Sequence, residues 1–344
     1  MEASEVHILS ARTALPGEPL DNAALARHFG MDELWEQWVD AFVGTRARHL
    51  SVDLGTRRLR STLADLSAEA AAKALADAGV GPADVDLVVL GTATPDQLMP
   101  ATVNVVADRL GIDGVPTYQL QSGCAGAFQA LEVGRQMLRS GEYRTALVIG
   151  GELCSRHYDP DAELAKLDSA ELVNFVLFGD GAGAAVLTTR PAPGTPVVRR
   201  MLNRLTGLNR APGQIVEWTG ALDRRFADRS HIKEDYKAIE ASVPVMSREI
   251  ADELLDGLGW APTDVDYLLP PQLSGRMTRR IVDGLGIPAA EEVSPVATIA
   301  NTGNAMPFFQ LEEVLPQLAV GDRVLGVSVE SSKWLKAGFA LETV

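Results

Sequence analysis

The sequence predicts an α/β protein in which one unit occurs twice, each copy a mostly parallel sheet covered by helices. Three observations carry this expectation. Short apolar runs such as Leu87–Leu90 and Thr145–Ile149 alternate with longer helical patterns. The residues Gly79, Pro82, Asp84, Val85 and Asp86 recur as Gly259, Pro262, Asp264, Val265 and Asp266, each 180 positions later. The same offset aligns Leu131 with Leu311 and Gly141 with Gly321, and it sets Cys124 opposite Asn304. Two blocks in one register indicate a tandem duplication.

In chain order, Val6–Arg12 reads as a strand. Residues 20–48 read as helical, with Trp35, Trp38 and Phe42 spaced as a core-facing stripe. Ala64–Ala78 is a second helix, closed by Gly79. The loop at Pro82 leads into a continuous apolar run, the pattern of a strand buried on both faces. Ala101–Leu110 is a further helix, and a strand ends near Leu120. Small residues from Ser122 to Gly126 allow a sharp turn, and a largely apolar helix follows to Arg139.

Bulk properties narrow the function classes. With 344 residues, 46% of them hydrophobic, the chain is long enough for two core units. No apolar run approaches the roughly 18 residues of a membrane-spanning helix. The acidic start, Met1-Glu2-Ala3-Ser4-Glu5, does not read as a secretion signal, so a soluble cytoplasmic protein is expected. Two cysteines, Cys124 and Cys154, make neither a disulfide framework nor a metal cluster. A net charge of −15 argues against a nucleic-acid surface. An acidic protein partner would need a local basic patch, for which Arg57, Arg58 and Arg60 or Arg199, Arg200 and Arg204 are candidates; either cluster also reads as solvated surface.

The turn bearing Cys124 attracts most interest. A cysteine at a helix N-terminus meets unpaired N–H groups and the positive end of the dipole, and both favour a thiolate. A small buried cysteine at a tight junction is the alternative. Ligands in α/β sheets collect beyond strand C-terminal ends. Duplication should bring this turn to face the one around Asn301–Asn304, which favours the functional reading.

Several strings resemble the thiolase superfamily, most closely the β-ketoacyl-acyl-carrier-protein synthase III family. They are Ser122-Gly-Cys-Ala-Gly-Ala-Phe, Ser140-Gly-Glu-Tyr with Ala146-Leu-Val-Ile-Gly-Gly-Glu, Ser155-Arg156, Phe178-Gly-Asp-Gly-Ala-Gly and Asn301-Thr-Gly-Asn. The resemblance spans nearly the whole chain. It implies the duplicated five-layered αβαβα thiolase fold, with halves at 1–172 and 173–344, and a homodimer. It also implies a nucleophilic Cys124 that receives an acyl group from a thioester. The oxyanion hole would combine the Cys124 N–H with one from the loop around Ser331.

The departures from the family pattern carry more information. A family His should follow the strand Tyr267–Leu269, but Pro271 stands there, while the Asn is kept as Asn301. Loss of the His should impair decarboxylative condensation. A charged loop, Val329-Glu-Ser-Ser-Lys-Trp, replaces a Gly-rich one, which makes Glu330 a candidate base; a solvated turn is the plainer reading. Trp38 matches an adenine-stacking Trp, but Leu172 and Phe42 occupy positions of two arginines, which favours a carrier-protein thioester over free coenzyme A. Of the histidines His7, His28, His49, His157 and His231, only His231 lies near the expected acceptor channel. Met99 matches a position where a dimer partner reaches into the acyl pocket. Asn304 and Pro271 are expected to contact substrate.

The resulting expectation is an acyltransferase of secondary metabolism without a resident cofactor. Cys124 takes an acyl group from an acyl carrier protein and passes it to an amine or hydroxyl of a small acceptor, with Glu330 or His231 as base. The alternatives are a decarboxylative ketosynthase and a non-catalytic partner subunit of such an enzyme.

Overall fold

A computed structural model describes residues 4–167, 169–191, 193–216 and 232–344. Its strands are β1 (His7–Ala14), β2 (Leu20–Asp21), β3 (Ala47–Arg48), β4 (Leu87–Thr92), β5 (Thr117–Gln121), β6 (Thr145–Glu152) and β7 (Gly181–Thr188) in the first half. The second half supplies β8 (Pro196–Leu205), β9 (Gln214–Val216), β10 (Ile232–Glu234), β11 (Tyr267–Leu269), β12 (Glu291–Glu292), β13 (Arg323–Glu330) and β14 (Leu335–Thr343).

Ten of these form one sheet, ordered β12-β11-β13-β14-β8-β1-β7-β6-β4-β5. The order is a palindrome of the duplication: β1, β4, β5, β6 and β7 correspond to β8, β11, β12, β13 and β14. Within each half only β7 or β14 runs against the others. The halves join through a single antiparallel pair, His7 with Val197. The recurring aspartates do the same work in both copies. Asp86 accepts the backbone N–H groups of Arg144 and Thr145, and Asp266 accepts that of Arg323.

The helices fill three layers. Leu63–Ala78 covers the outer face of β1, β6 and β7, and Tyr236–Leu258 covers that of β8, β13 and β14. The helix Gly126–Arg139 packs on β4 and β6 of one half and on β8 and β14 of the other, while Met306–Val314 packs on β1, β7 and β11. These two central helices sit between the half-sheets, which gives the αβαβα stack. Both faces of β4 and β6 are therefore covered, and every residue of these strands is buried.

Local boundaries follow local chemistry. Leu63–Ala78 begins at a Thr62–Asp65 capping box and ends at Gly79 with φ of 64°. The expected helix over 20–48 is broken. Asn22–Phe29 stops at Gly30, and Glu33–Trp38 then passes into a wider π-helical turn at Val39–Val43. The aromatic stripe is correspondingly graded: Trp35 is buried, Trp38 half-buried and Phe42 exposed. Both arginine clusters are largely neutralised. Arg57 pairs with Asp161, Arg60 with Asp53, Arg199 with Glu5 and Glu342, and Arg204 with Glu253. No helix among the described residues is long and apolar enough to cross a membrane.

Candidate active site

Cys124 lies between the end of β5 and the helix Gly126–Arg139, one residue ahead of that helix's cap, Ala125. The turn's glycines answer a need for space rather than for an unusual backbone. Neither Gly123 nor Gly126 has a positive φ. A Cβ on Gly126 would lie 2.7 Å from Asn304 Oδ1, and one on Gly123 would lie 3.2 Å from the Glu330 carboxyl carbon.

The two duplicated turns hold each other through Asn304. Its Oδ1 accepts the Ala127 N–H at 2.7 Å, and its Nδ2 donates to the Ser122 carbonyl at 3.0 Å and to Glu152. Asn304 is fully buried and its amide is spent on the protein. It therefore positions the Cys124 turn, which corrects its expected role as a substrate contact. Ser328 of β13 adds a clamp, with its hydroxyl donating to the Cys124 carbonyl at 2.9 Å.

Glu152 and Glu330 are the last residues of β6 and β13. The strands thus correspond at an offset of 178, not 180, and the two carboxylates are equivalents on either side of the turn. Glu330 accepts hydrogen bonds from Ser122 Oγ at 2.7 Å, from Ala125 N at 3.4 Å and from Ser332 Oγ. Both of its oxygens are occupied, and it is absent from the lining of the cavities that reach Cys124. The expectation of Glu330 as a base facing the acceptor is corrected accordingly: it braces the Cys124 turn. Lys333 points elsewhere and bonds the Arg210 carbonyl. Glu152 accepts from Ala93 N at 2.8 Å and Thr94 Oγ1 at 2.6 Å, as well as from Asn304. Burial nonetheless raises its carboxyl to about 7.

One cavity gathers Cys124, Pro271, Asn301 and Ser331 with Gln214, Glu234 and Tyr236. Asn301 Oδ1 accepts the Gly303 N–H at 2.9 Å, which fixes the amide where the residue lines the cavity. The preceding residue, Ala300, has φ of 61° and ψ of −172°, a conformation nearly restricted to glycine, and so fixes Asn301 at a strained corner. Pro271 is buried on the cavity wall, and its carbonyl accepts from Thr278. A second cavity also reaches Cys124, past Thr94, Glu152 and Cys154. Glu234 and Tyr236 also line an outer groove with Trp38, Phe42, Arg276 and Arg280. Arg276 sits 5.9 Å over the Phe42 ring, so the groove has cations even though the positions of Leu172 and Phe42 lack them.

The electrostatics reverse one expectation. Burial, reinforced by the charges of Glu330, Glu152 and Glu234, pushes the Cys124 thiol up to about 12. Desolvation and the neighbouring carboxylates oppose the pull of the helix N-terminus and favour the thiol over the thiolate. One expected site residue lies apart. Met99 is 86% exposed at the surface, so the contact for which it was singled out would need a second copy of the chain. His231 falls outside the described residues. Glu234 was missed, although it belongs to the same polar string as His231, immediately before the capping Asp235 of the long helix Tyr236–Leu258.

Comparison with known proteins agrees with this geometry. Residues 118–203 match the 3-oxoacyl-[acyl-carrier-protein (ACP)] synthase III family, and residues 255–331 match that family's C-terminal region. A β-ketoacyl-[acyl-carrier-protein] synthase III of Neisseria gonorrhoeae is 32% identical over 296 residues, covering 85% of this chain and 84% of its own. A Streptomyces coelicolor enzyme of the same name is 33% identical over 321 residues, covering 91% and 90%. Among solved structures, AbyA1, described as a tetronic acid condensing enzyme, superposes with a TM-score of 0.95 at 60% identity, covering 98% of this chain and 99% of that one. With its duplicated sheet, its Cys124 turn and these relatives, the chain belongs to the 3-oxoacyl-acyl-carrier-protein synthase III family of the thiolase superfamily.

Proposed function

We propose that this protein is a condensing acyltransferase of secondary metabolism that closes a tetronic acid ring. Cys124 takes an acyl group from a carrier-protein thioester and passes it to a second, hydroxyl-bearing acyl unit. The observation that carries this reading is Pro271 on the wall of the Cys124 cavity, in a chain 60% identical to a tetronic acid condensing enzyme.

Ring chemistry explains why the two go together. A tetronic acid holds an ester oxygen and an enolised β-dicarbonyl in one five-membered ring. Disconnecting a 3-acyl tetronic acid at its ester C–O bond and at the C–C bond between the central carbon of the dicarbonyl and the ring ketone carbon gives an α-hydroxyacyl and a β-ketoacyl thioester. One new bond is an acyl transfer to a hydroxyl; the other is made by a carbon already activated by two carbonyls. Neither step releases CO₂, so neither needs the His that polarises a malonyl thioester. Of the two acceptor types expected from the sequence, the hydroxyl is therefore preferred to the amine. Ser331 and Cys124 would offer backbone N–H groups to the thioester oxygen, and Asn301 Nδ2 would orient a carbonyl.

The reading requires thioester donors and no resident cofactor. A homodimer would complete the site at Met99, and the Trp38–Arg276 groove would admit the pantetheine arm. Decarboxylative synthesis is the second reading, favoured by family membership and by Asn301 on the cavity wall. A non-catalytic subunit fits poorly with a cysteine left open to two cavities. Incubation with acetoacetyl and glycolyl carrier-protein thioesters, followed by mass spectrometry of protein and products, tests the proposal. A Cys124 adduct and a tetronic acid support it; CO₂ and a β-ketoacyl chain from malonyl thioester refute it.

A further inference from the structure

The missing His leaves the acceptor without an obvious proton acceptor. Three carboxylates surround Cys124, and their surroundings distinguish them. Glu330 is enclosed by the hydrogen bonds of the turn and does not line either cavity at Cys124. Glu152 lines the second cavity at Cys124 but is held by four donors and does not line the outer groove. Glu234 is the one of the three that lines both the Cys124 cavity and the outer groove.

Its position is built by the fold. β10 pairs with β9 so that Glu234 stands directly opposite Gln214. Gln214 Nε2 donates to Glu234 Oε1, and the Asn174 side chain donates as well. These amides fix the carboxylate without neutralising it. Tyr236 and Pro271 close the cavity around it, and Pro271 offers no competing base.

We propose that Glu234 is the general base that deprotonates the acceptor during discharge of the Cys124 acyl-enzyme. The inference rests on the acyl-enzyme reading above. The acceptor O–H proton moves to the Glu234 carboxylate as its oxygen bonds to the acyl carbon. The C–S bond to Cys124 then breaks, and the proton passes on to the departing sulfur. Thiol and carboxylate are both restored, and no oxidant or further reactant is needed. Partial desolvation, which raises this carboxyl to about 6, places it in a useful range for such a transfer. The high proton affinity of Cys124 favours the last step.

Single-turnover experiments separate the half-reactions. Enzyme loaded from acetoacetyl-pantetheine would be mixed with glycolyl-pantetheine, and the Cys124 adduct followed by intact mass. Glu234→Gln keeps shape and hydrogen bonding; it should load within about twofold of wild type and discharge on the order of 10²–10³ more slowly. Glu234→Asp keeps the charge and should discharge within about tenfold of wild type. Normal discharge by Glu234→Gln, or equal losses of loading and discharge in both variants, would overturn this proposal alone. A wild-type chain that never acquires an acyl group would overturn it together with the acyl-enzyme reading.

Discussion

Replacing Asn304 by Ala would test whether that residue builds the site or touches substrate. The side chain gives one hydrogen bond to the Ala127 N–H at 2.7 Å, one to the Ser122 carbonyl at 3.0 Å and one to the Glu152 carboxylate, all without solvent. Truncation orphans a buried N–H, which costs about 1–3 kcal/mol, and removes a charged partner, which costs about 1.5–3 kcal/mol. The carbonyl keeps a second lone pair and adds less. Because neighbouring losses are not additive, the expected total is about 3–5 kcal/mol. For a chain this large, each kcal/mol lowers Tm by roughly 2–4 °C, so a fall of about 6–20 °C is expected. Thermal unfolding and the rate of Cys124 acylation should decline together, because the turn loses its brace. A Tm within about 2 °C of wild type, combined with normal loading and lost discharge, would refute this reasoning and return Asn304 to the substrate.

Other expectations follow from the same geometry. At pH 7.5, iodoacetamide should alkylate Cys124 on the order of 10³-fold more slowly than an ordinary thiol, and Glu330→Gln should speed it up. Because folding raises the thiol's proton affinity from 9.0 to about 12, its contribution to stability is complete below pH 9 and is lost as pH climbs toward 12; alkaline denaturation of Cys124→Ala against wild type measures it. Gly150→Ala would place a Cβ 2.2 Å from the Asn304 carbonyl oxygen, a backbone clash costing at least about 1–3 kcal/mol by thermal melting. Malonyl thioester should release CO₂ on the order of 10²–10³ more slowly than with a His-bearing relative, since Pro271 polarises nothing; ¹⁴CO₂ trapping reads this directly.

The sequence carried the architecture well because duplication writes itself in register. Gly79 and Gly259 close equivalent helices, and Asp86 and Asp266 cap equivalent strands, so two copies check each other. Cys124 was legible for a similar reason, since a strand end, small residues and a helix start are local signals. Its protonation state was not. It depends on Glu152, Glu330 and Glu234, which converge from three distant segments, and on desolvation, which has no sequence signature. Glu330 was misjudged because a strand-end carboxylate reads the same whether it faces a cavity or a ring of donors. Glu234 was passed over because the three-residue strand that pairs it with Gln214 lacks the alternation that marks longer strands. The break at Gly30 was visible in the residues, but the aromatic spacing around Trp35 outweighed it.

The proposed reaction uses Cys124 as an acyl carrier and forms a ring without losing CO₂. Intact-mass analysis of wild type and Cys124→Ala, each given acetoacetyl and glycolyl carrier-protein thioesters together, tests this most directly. An acyl adduct on wild type, none on Cys124→Ala, and a tetronic acid formed by wild type alone are expected. Ring formation by Cys124→Ala at the wild-type rate, with no adduct on either protein, would contradict the proposal.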